Sequence, residues 1–371
     1  MRLEAVEIRR VELPLVRPFR TSFGTETVHE ALVIRAETDQ GTGWGECVAG
    51  AEPRYSAEYN EASKLAMQRF LVPALLAAES LTAAAVAGLL AGFKGHRMAK
   101  AALEMAVLDA ELRAQGIPLQ RYLGGEGDRV VPGVSVGITA TVGELLDAVD
   151  GYLADGYRRV KLKIEPGWDI EVVAAVRERV GPGFMLQVDA NTAYDRSDVA
   201  HLAGLDEFGL LLLEQPFDEE DILGHAELAR SIETPVCLDE SILSARAAAS
   251  AVELGACSIV NIKPGRVGGY LEAVRVHDTC RERGVPVWCG GMLETGIGRA
   301  ANLALATLPG FTLPGDISAT RRYFHEDVTE PFELVDGAIA VPAGPGIGVE
   351  VRRDVLEALT VELDVLRGGY Q

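Results

Sequence analysis

The chain contains three short apolar runs that each end in an acidic residue: FMLQVD (184–189), LLLLE (210–214) and VCLD (236–239). The three acids lie at an even spacing of 25 residues. Lysines occur before and after them at almost the same spacing, a pair in RVKLKIE (159–165) and a single one in SIVNIKPG (258–265). One charged residue therefore follows or ends each of five successive apolar segments.

This spacing predicts a repeated strand–helix unit. About 25 residues suffice for one strand, one helix and two short loops, because parallel strands need a helical crossover of roughly a dozen residues. From about residue 131 to 315, strand candidates alternate with amphipathic, alanine-rich stretches. The candidates are VSVGI, RVKLKI, FMLQVD, GLLLLE, VCLD, SIVNI and VPVWC, with a shorter one near FTLPGD (311–316). Seven or eight such units favour a closed α/β barrel, which carries its chemistry at the carboxyl ends of its strands.

The sequence on either side of this repeat predicts a second, α+β domain. Residues 1–50 alternate apolar and polar positions as a β-meander, and residues 56–116 change to a helical period. The clearest helix is HRMAKAALEMAVLDAELRAQG (96–116), and GGEGD (124–128) marks a boundary. We expect the last part of the chain to return and pack on the first, with domains at 1–125, 126–320 and 321–371.

Charge and composition narrow the class of protein. The 371 residues carry a net charge of −20, and such an acidic surface repels phosphate backbones and anionic headgroups. We therefore expect neither nucleic-acid nor membrane partners. The five cysteines are scattered without CxxC or CxxH spacing, the N-terminus lacks a signal-peptide core, and no apolar run reaches about 18 residues. These features predict a cytoplasmic protein in a reducing compartment.

Taken one at a time, the charged residues at the strand ends have structural explanations. Lys161 and Lys163 share one face of a strand, and an edge strand could carry both in water. Asp189 and Asp239 could each cap the helix that follows, and Glu214 could be a turn residue. Capping by three acids at one spacing, with lysines on both sides, is a weaker explanation than one shared site.

A shared site of three carboxylates requires a cation, because otherwise they repel one another and at least one becomes protonated. Hard oxygen ligands from three strand ends suit Mg²⁺ or a similar divalent ion. A divalent ion between lysines suits the removal of a proton next to a carboxylate, since the resulting enediolate needs concentrated positive charge. Lysines on opposite walls of a barrel would face both sides of the α-carbon. One would take the proton and the other would return one, as racemisation requires.

Several motifs carry a family resemblance: KLK (161–163), DAN (189–191), EQP (214–216), LDES (238–241) and NIKPGRVGG (261–269). Together they resemble the enolase superfamily, in its muconate-cycloisomerase-like branch. Further stretches resemble, within that branch, the o-succinylbenzoate synthases that also act as N-succinylamino acid racemases: RPFRTSFGT (17–25), GWGEC (43–47), KGHRMAKAALEMAVLDAE (94–111), SVGI (135–138) and GGMLETGIGRAAN (290–302). The resemblance covers essentially the whole chain. It implies a modified TIM barrel, (β/α)7β, capped by the α+β region.

The resemblance also implies roles for individual residues. Mg²⁺, for which Mn²⁺ or Co²⁺ can substitute, would be bound by Asp189, Glu214 and Asp239. The acid–base pair would be Lys163 and Lys263, and Lys161 would stabilise the enediolate. Segment 17–25 would form a loop that acts as a lid. Substrate contacts are implied for Ser135, Lys161, Asn191, Lys263, Phe19, Phe23, Gly291 and Met292.

The implied substrate is a small-molecule carboxylate. The implied reactions are dehydration to o-succinylbenzoate, in menaquinone biosynthesis, and racemisation of N-succinylamino acids. Dipeptide epimerisation and muconate-type cycloisomerisation are more distant alternatives, and a catalytically retired relative with a structural role is an alternative of another class. The intact set of lysines and acids argues against retirement. A homo-oligomer, a dimer or an octamer, is expected from the resemblance and from the frequency of closed oligomers.

Weaker signals remain outside this set. TGIGRAA (295–301) fits a short dinucleotide fingerprint, but the expected acidic residue is missing, so we interpret it as a helix N-terminus that receives a substrate carboxylate. The six histidines lie away from the strand ends, which predicts surface roles. A Schiff-base aldolase would use buried lysines but has no need of three spaced carboxylates.

Overall fold

The fold was analysed in a computed structural model, which describes residues 1–368. Within these residues the strands are β1 (Leu3–Thr21), β2 (Gly24–Thr38), β3 (Gly41–Cys47), β4 (Arg129–Val130), β5 (Val134–Val136), β6 (Arg159–Lys163), β7 (Met185–Asp189), β8 (Leu213–Glu214), β9 (Val236–Leu238), β10 (Ile259–Ile262), β11 (Val287–Cys289), β12 (Ile339–Ala340) and β13 (Thr360–Arg367).

The helices connect most of these strands, and none found between residues 1 and 368 has the length and hydrophobicity needed to cross a membrane. A π-helical turn, Met67–Leu71, lies between the helices Asn60–Ala66 and Val72–Leu76. The α-helices are α1 (Asn60–Ala66), α2 (Val72–Leu76), α3 (Ala83–Leu89), α4 (Arg97–Gln115), α5 (Leu119–Leu123), α6 (Val142–Asp155), α7 (Ile170–Val180), α8 (Val199–Leu202), α9 (Ile222–Ala229), α10 (Ala245–Glu253), α11 (Pro264–Val267), α12 (Tyr270–Glu282), α13 (Gly296–Leu305) and α14 (Arg353–Leu359).

Strands β5 to β11 form one parallel sheet in chain order, as the repeat predicts. The sheet curls, and segment 311–316 joins its two edges. Asp316 N donates to Cys289 O at 2.9 Å on one side, and Gly133 N donates to Gly315 O at 2.7 Å on the other. The prediction of a regular strand at 311–316 is wrong, because this segment makes only isolated bridges and Pro314 has no amide hydrogen for a ladder. The result is a modified (β/α)7β barrel.

Side-chain hydrogen bonds cap the N-termini of barrel helices α6 and α10. Thr141 caps α6 by accepting a hydrogen bond from Glu144 N, and the helix ends at Gly156, whose φ is +101°. Ser244 caps α10 by accepting from Ala247 N at 3.1 Å. The alternative explanation of Asp239 as the cap of that helix is therefore wrong, which leaves its carboxylate available to the barrel mouth.

The other sheet is antiparallel and has the order β13-β1-β2-β3. Strand β13 pairs with β1 from Ala5–Arg367 to Val11–Thr360, so the end of the chain joins the first sheet. Strands β1 and β2 extend to a tight turn at Ser22–Phe23. The prediction of a loop at 17–25 is wrong, because Phe19 to Thr21 pair with Gly24 to Glu26. The three domain boundaries stay a prediction.

Helix α4 packs against β3 with no side chain between the two backbones. A Cβ atom at Gly45 would lie 2.1 Å from Ala102 O, and one at Gly43 would lie 2.2 Å from Ala106 O. Both distances are far below a van der Waals contact. The glycines of the GWGEC segment thus allow the helix to lie directly on the sheet.

Helix α4 also holds a barrel helix. The buried carboxylate of Glu104 accepts a hydrogen bond from Leu271 N at 3.0 Å, at the N-terminus of α12. Burial raises the pKa of Glu104 to about 7, although the backbone N–H groups of Leu271 and Tyr270 favour its charged form. This contact links the stability of the α4–α12 junction to pH.

We expect Gly45→Ala to lower the free energy of unfolding by roughly 1–3 kcal/mol, or to prevent folding, because helix α4 cannot give way at its backbone. The matched control is Gly151→Ala, in helix α6, where a Cβ meets no atom within 4 Å. This control should gain roughly 0.5–1 kcal/mol from helix propensity. Thermal and urea unfolding measure both, and equal stability of the two variants would contradict the close contact.

We expect Glu104→Gln to change how stability depends on pH. The folded-state pKa of Glu104 lies above the unfolded value of 4.5, so its contribution is complete below pH 4.5 and is lost as pH rises through about 7. The unfolding free energy of the unmodified protein should fall relative to the variant by up to about 3 kcal/mol over this interval. Melting temperatures at pH 5 to 8 measure the effect, and parallel curves would disprove it.

Candidate active site

The register of the parallel sheet brings the predicted lysines and acids to one end of the barrel. Lys163 lies opposite Asp189 across β6 and β7, and Asp189 lies opposite Glu214 across β7 and β8. Asp239 directly follows β9, and Lys263 directly follows β10. These charged residues are all buried: the three acids have no exposed surface and the lysines are less than a tenth exposed. Five consecutive strands, with both lysines of β6, therefore bring six charged side chains to one buried mouth.

The two lysines of β6 face the acids of β7 and β8. Lys163 Nζ lies 2.6 Å from Asp189 Oδ2. Lys161 Nζ lies 3.0 Å from the same oxygen and 2.9 Å from Glu214 Oε2. A third acid, Asp316, places Oδ2 at 2.5 Å from Lys161 Nζ. One ammonium thus lies at a point on which three carboxylates converge.

The third predicted ligand is held by a separate set of groups. Asp239 Oδ2 lies 2.8 Å from Lys263 Nζ. Its other oxygen accepts hydrogen bonds from Arg266 Nη1 and, at 3.1 Å, from Tyr55 Oη. The ring of Tyr55 also covers the Lys263 ammonium, with 4.3 Å from Nζ to the ring centre. The contacts of Tyr55 connect the N-terminal region to the barrel mouth.

Burial and neighbouring charges act in opposite directions on the lysines. Burial lowers the pKa of Lys163, and the attraction of Asp189 does not fully compensate. Burial also opposes the charge of Lys161, but Asp189, Asp316 and Glu214 outweigh it and raise its pKa. The pKa of Lys263 is likewise raised, because the acidic groups around it outweigh its burial. Lys163 is therefore the lysine of the three that loses its proton most readily.

The three predicted metal ligands do not all face one point in this structure. Within residues 1–368 no group of three or more acidic, histidine or cysteine side chains is arranged as a ready metal site. Asp189 and Glu214 each point one carboxylate oxygen at Lys161 Nζ, at distances of 3.0 and 2.9 Å. The carboxylate of Asp239 instead contacts Lys263 and Arg266. The donors are hard carboxylate oxygens with no exposed surface, and burial together with Asp189 raises the pKa of Glu214. In chemistry and strand position the set fits a divalent cation.

A cavity of about 280 Å³ adjoins the lysines. Its lining includes Asn191, whose Oδ1 accepts from Lys163 Nζ at 2.6 Å, and Tyr55, which covers Lys263. Phe23 also lines it, at the tip of the β1–β2 hairpin. Ser22 Oγ donates to Ala190 O at 3.0 Å, which fixes this tip on the mouth of β7. The cavity is therefore lined by one contact residue of each lysine, and the hairpin tip forms part of its wall.

The other predicted substrate contacts lie at the same end but differ in exposure. Ser135 is buried and pairs with Lys161 across β5 and β6. Phe19 is also buried, and its ring packs edge-on against Tyr323. Gly291 and Met292 follow β11 and are partly buried, and Met292 N donates to Glu294. Contact with substrate stays a prediction for all of them.

Comparison with known proteins gives the family. Residues 144–355 match the family described as "Enolase C-terminal domain-like", and residues 4–124 match "Mandelate racemase / muconate lactonizing enzyme, N-terminal domain". The chain belongs to the enolase superfamily. An N-succinylamino acid racemase from Amycolatopsis sp is 64% identical over 97% of this chain and 98% of the relative. An o-succinylbenzoate synthase from Geobacillus kaustophilus is 46% identical over 96% of each chain. The chain is thus an enzyme of this superfamily.

The solved structures agree with this assignment. An enolase superfamily member from Listeria innocua has a TM-score of 0.95 to this chain at 38% identity, and each chain is covered completely. Enolase superfamily membership confirms the resemblance that the motifs KLK, DAN and EQP carry. It also accounts for the combination of a curled parallel sheet with a separate antiparallel sheet.

Two expectations about the superfamily site are wrong. The N-terminus of α13 does not offer free N–H groups to a substrate carboxylate, because Gly298 N donates to Glu46 and Gly296 N donates to Asp327, both at 2.8 Å. The surface prediction fails for three histidines, which are buried: His29, His225 and His277. The last two have structural partners, since His225 Nε2 accepts from Phe217 N and His277 Nε2 accepts from Gly310 N.

The sequence reasoning missed several residues of the superfamily mouth. Arg159 and Asn261 lie two residues before Lys161 and Lys263, and the alternation of a strand places each on the same inward face. Asn261 Nδ2 donates to Glu214 Oε1 at 2.6 Å. The period of two was therefore a signal that could have found both. Asp316 ends the strand candidate FTLPGD and so shared the signal of the other strand-end acids, whereas Tyr55 precedes the repeat and carries no such signal.

Proposed function

We propose that the protein removes the proton next to a carboxylate of a small acid, through an enediolate, as an o-succinylbenzoate synthase, an N-succinylamino acid racemase or both. The synthase reaction would serve menaquinone biosynthesis. One observation carries the proposal: two buried lysines, Lys163 and Lys263, lie on opposite walls of the barrel with carboxylates between them. The names of the relatives at 64% and 46% identity support both reactions.

The opposite placement follows from the strand order. Lys163 ends β6 and Lys263 follows β10, and strands β7, β8 and β9 lie between them. With segment 311–316 as the eighth part of the ring, β6 and β10 hold the second and sixth positions. These positions are diametrically opposed in a ring of eight. A flat enediolate between the walls would present one face to each lysine.

The chain's own residues then divide the work. Lys163 would take the α-proton from one face, and Lys263 would hold or take the proton on the other. The Lys161 ammonium would hydrogen-bond to the carboxylate on which negative charge develops. For the synthase reaction, Lys163 would act first as base and then as acid, while Lys263 contributes positive charge. Asn191 would keep Lys163 oriented at the cavity, through the bond of 2.6 Å between its Oδ1 and Nζ.

The three strand-end acids complete the site. Asp189, Glu214 and Asp239 would hold Mg²⁺, which supplies concentrated positive charge at the substrate carboxylate when bound. Ser22, which fixes the hairpin on the mouth of β7, would help to exclude water. Both reactions need the same residues, so an assay of both substrates decides between them. L-Ala-D/L-Glu is the comparison substrate, because an epimerase named for it is 28% identical to this chain.

We expect Mg²⁺ to raise the melting temperature, because a ligand of the folded state stabilises it by about 2.7 kcal/mol at roughly a hundred times its Kd. EDTA should remove both this rise and the exchange of the α-proton, and added Mg²⁺ should restore them. Glu214→Gln should lose the response to Mg²⁺, whereas the matched control Glu104→Gln, in helix α4, should keep it. A melting temperature that ignores Mg²⁺ in the unmodified protein would reject the metal assignment.

We expect each lysine to serve one enantiomer. In D₂O with Mg²⁺, the unmodified protein should exchange the α-proton of both enantiomers of an N-succinylamino acid, as followed by NMR. Lys163→Ala should slow exchange from one enantiomer at least roughly a hundredfold, and Lys263→Ala should do so from the other. Lys100→Ala, a lysine of helix α4, is the control and should change neither rate. Full exchange by both barrel variants would refute the two-base arrangement.

A further inference from the structure

Arg159 is a buried cation at the start of β6, and it has no exposed surface. Because strand residues alternate, Arg159 points to the barrel interior with Lys161 and Lys163. It occupies a slot that exists because residue 133 is glycine: a Cβ there would lie 2.1 Å from Arg159 Cζ. The indole of Trp288 forms another wall, with its ring centre 5.5 Å from Cζ. The surrounding chain is thus shaped to hold a guanidinium at this position.

The guanidinium of Arg159 holds the segment that closes the barrel. Its Nε and Nη2 donate to Pro314 O at 3.2 and 2.7 Å, and its Nη1 donates to Asp316 Oδ1 at 2.7 Å. The planar fork of donors fixes these acceptors more tightly than a single ammonium would. Segment 311–316 lacks a regular ladder and is held at the two sheet edges by backbone bonds with Gly133 and Cys289, so the side chain of Arg159 is a contact that ties Asp316 to β6.

Asp316 passes this constraint on to Lys161. Its second oxygen, Oδ2, lies 2.5 Å from Lys161 Nζ. The other carboxylates that contact this ammonium are Asp189 and Glu214, to which the proposed function assigns metal binding. Among the described residues, Asp316 is thus the one carboxylate in contact with Lys161 that is not a proposed metal ligand. Its Oδ2 is the nearest of the three carboxylate oxygens to the ammonium.

We propose that Arg159 and Asp316 are positioning residues that hold the Lys161 ammonium where it meets the substrate carboxylate. The inference rests on the proposed function, from which it takes the role of Lys161. Arg159 reaches Lys161 only through Asp316, by the chain of contacts from Nη1 to Oδ1 and from Oδ2 to Nζ. Without Asp316, the attraction of Asp189 and Glu214 would turn the ammonium toward those acids.

A double-mutant cycle with Asp316→Asn and Lys161→Met tests this role, with the rate of α-proton exchange as the readout. Asparagine keeps the size of the side chain and an acceptor for Arg159 but loses the charge that draws Lys161. Asp316→Asn alone should lower kcat at least tenfold and change KM less than threefold. In the Lys161→Met background the same change should alter kcat less than twofold. An equal loss in both backgrounds, or no loss at all, would overturn the positioning role.

Stability is measured beside activity, by thermal unfolding and by calorimetric titration with Mg²⁺. The matched control is Asp109→Asn, which breaks another aspartate–arginine pair, between the buried Asp109 and the partly exposed Arg113 in helix α4. It should lower the melting temperature without lowering kcat. If Asp316→Asn does not fold, Arg159→Lys replaces it in the cycle with the same expectations, because lysine cannot hold Pro314 O and Asp316 together.

The two levels of the proposal fail differently. Absence of exchange by the unmodified protein, or full activity of Lys161→Met, would reject the assignment of function and the inference with it. Additive losses in an active protein would reject the positioning role alone.

Discussion

Charge pairing in a dry interior is the constraint on which the site depends. An unpaired ammonium or carboxylate in a low-dielectric interior costs several kcal/mol, so buried charges persist only with close partners. Lys161 meets this condition with three carboxylates within 3.0 Å, and Lys263 meets it with Asp239 at 2.8 Å. The buried lysines are stable in their charged form because carboxylates lie beside them, and the carboxylates because the lysines do. Removing one partner therefore disturbs the whole mouth of the barrel, not a single contact.

The backbone fixes where these charges can lie. Hydrogen-bond register between parallel strands sets Lys163 opposite Asp189 and Asp189 opposite Glu214, before any side chain is considered. The N-terminal region then covers the mouth with the β1–β2 hairpin and with Tyr55, which lies between β3 and α1. Helix α4, seated on Gly43 and Gly45, and the bond from Glu104 to helix α12 connect that cover to the barrel. Precision in the site thus derives from rigid elements, whereas loops contribute the covering groups.

The sequence predicted what depends on spacing and alternation. The even spacing of the acids predicted the parallel strands, and family motifs predicted the barrel and its cap. Tyr55 and Arg266 could not be found in this way, because their contacts with Asp239 join separate parts of the chain. The N-terminus of α13 was misjudged for the same reason, because Glu46 and Asp327 accept its N–H groups through tertiary contacts. Asp316 ends a strand candidate and could have been found by the same signal as the other acids.

The irregular closure of the barrel explains why the interior below the site is polar. A regular eighth strand would satisfy its own backbone groups through a ladder, and apolar side chains would fill the space. Segment 311–316 instead leaves Pro314 O to be satisfied by a side chain, and Arg159 does this from β6, one strand in from the edge of the sheet. The guanidinium of Arg159 is therefore buried, and a buried cation needs an acidic partner, which is Asp316. The second oxygen of the same acid then reaches Lys161, so the closure of the fold and the electrostatics of the mouth share one carboxylate.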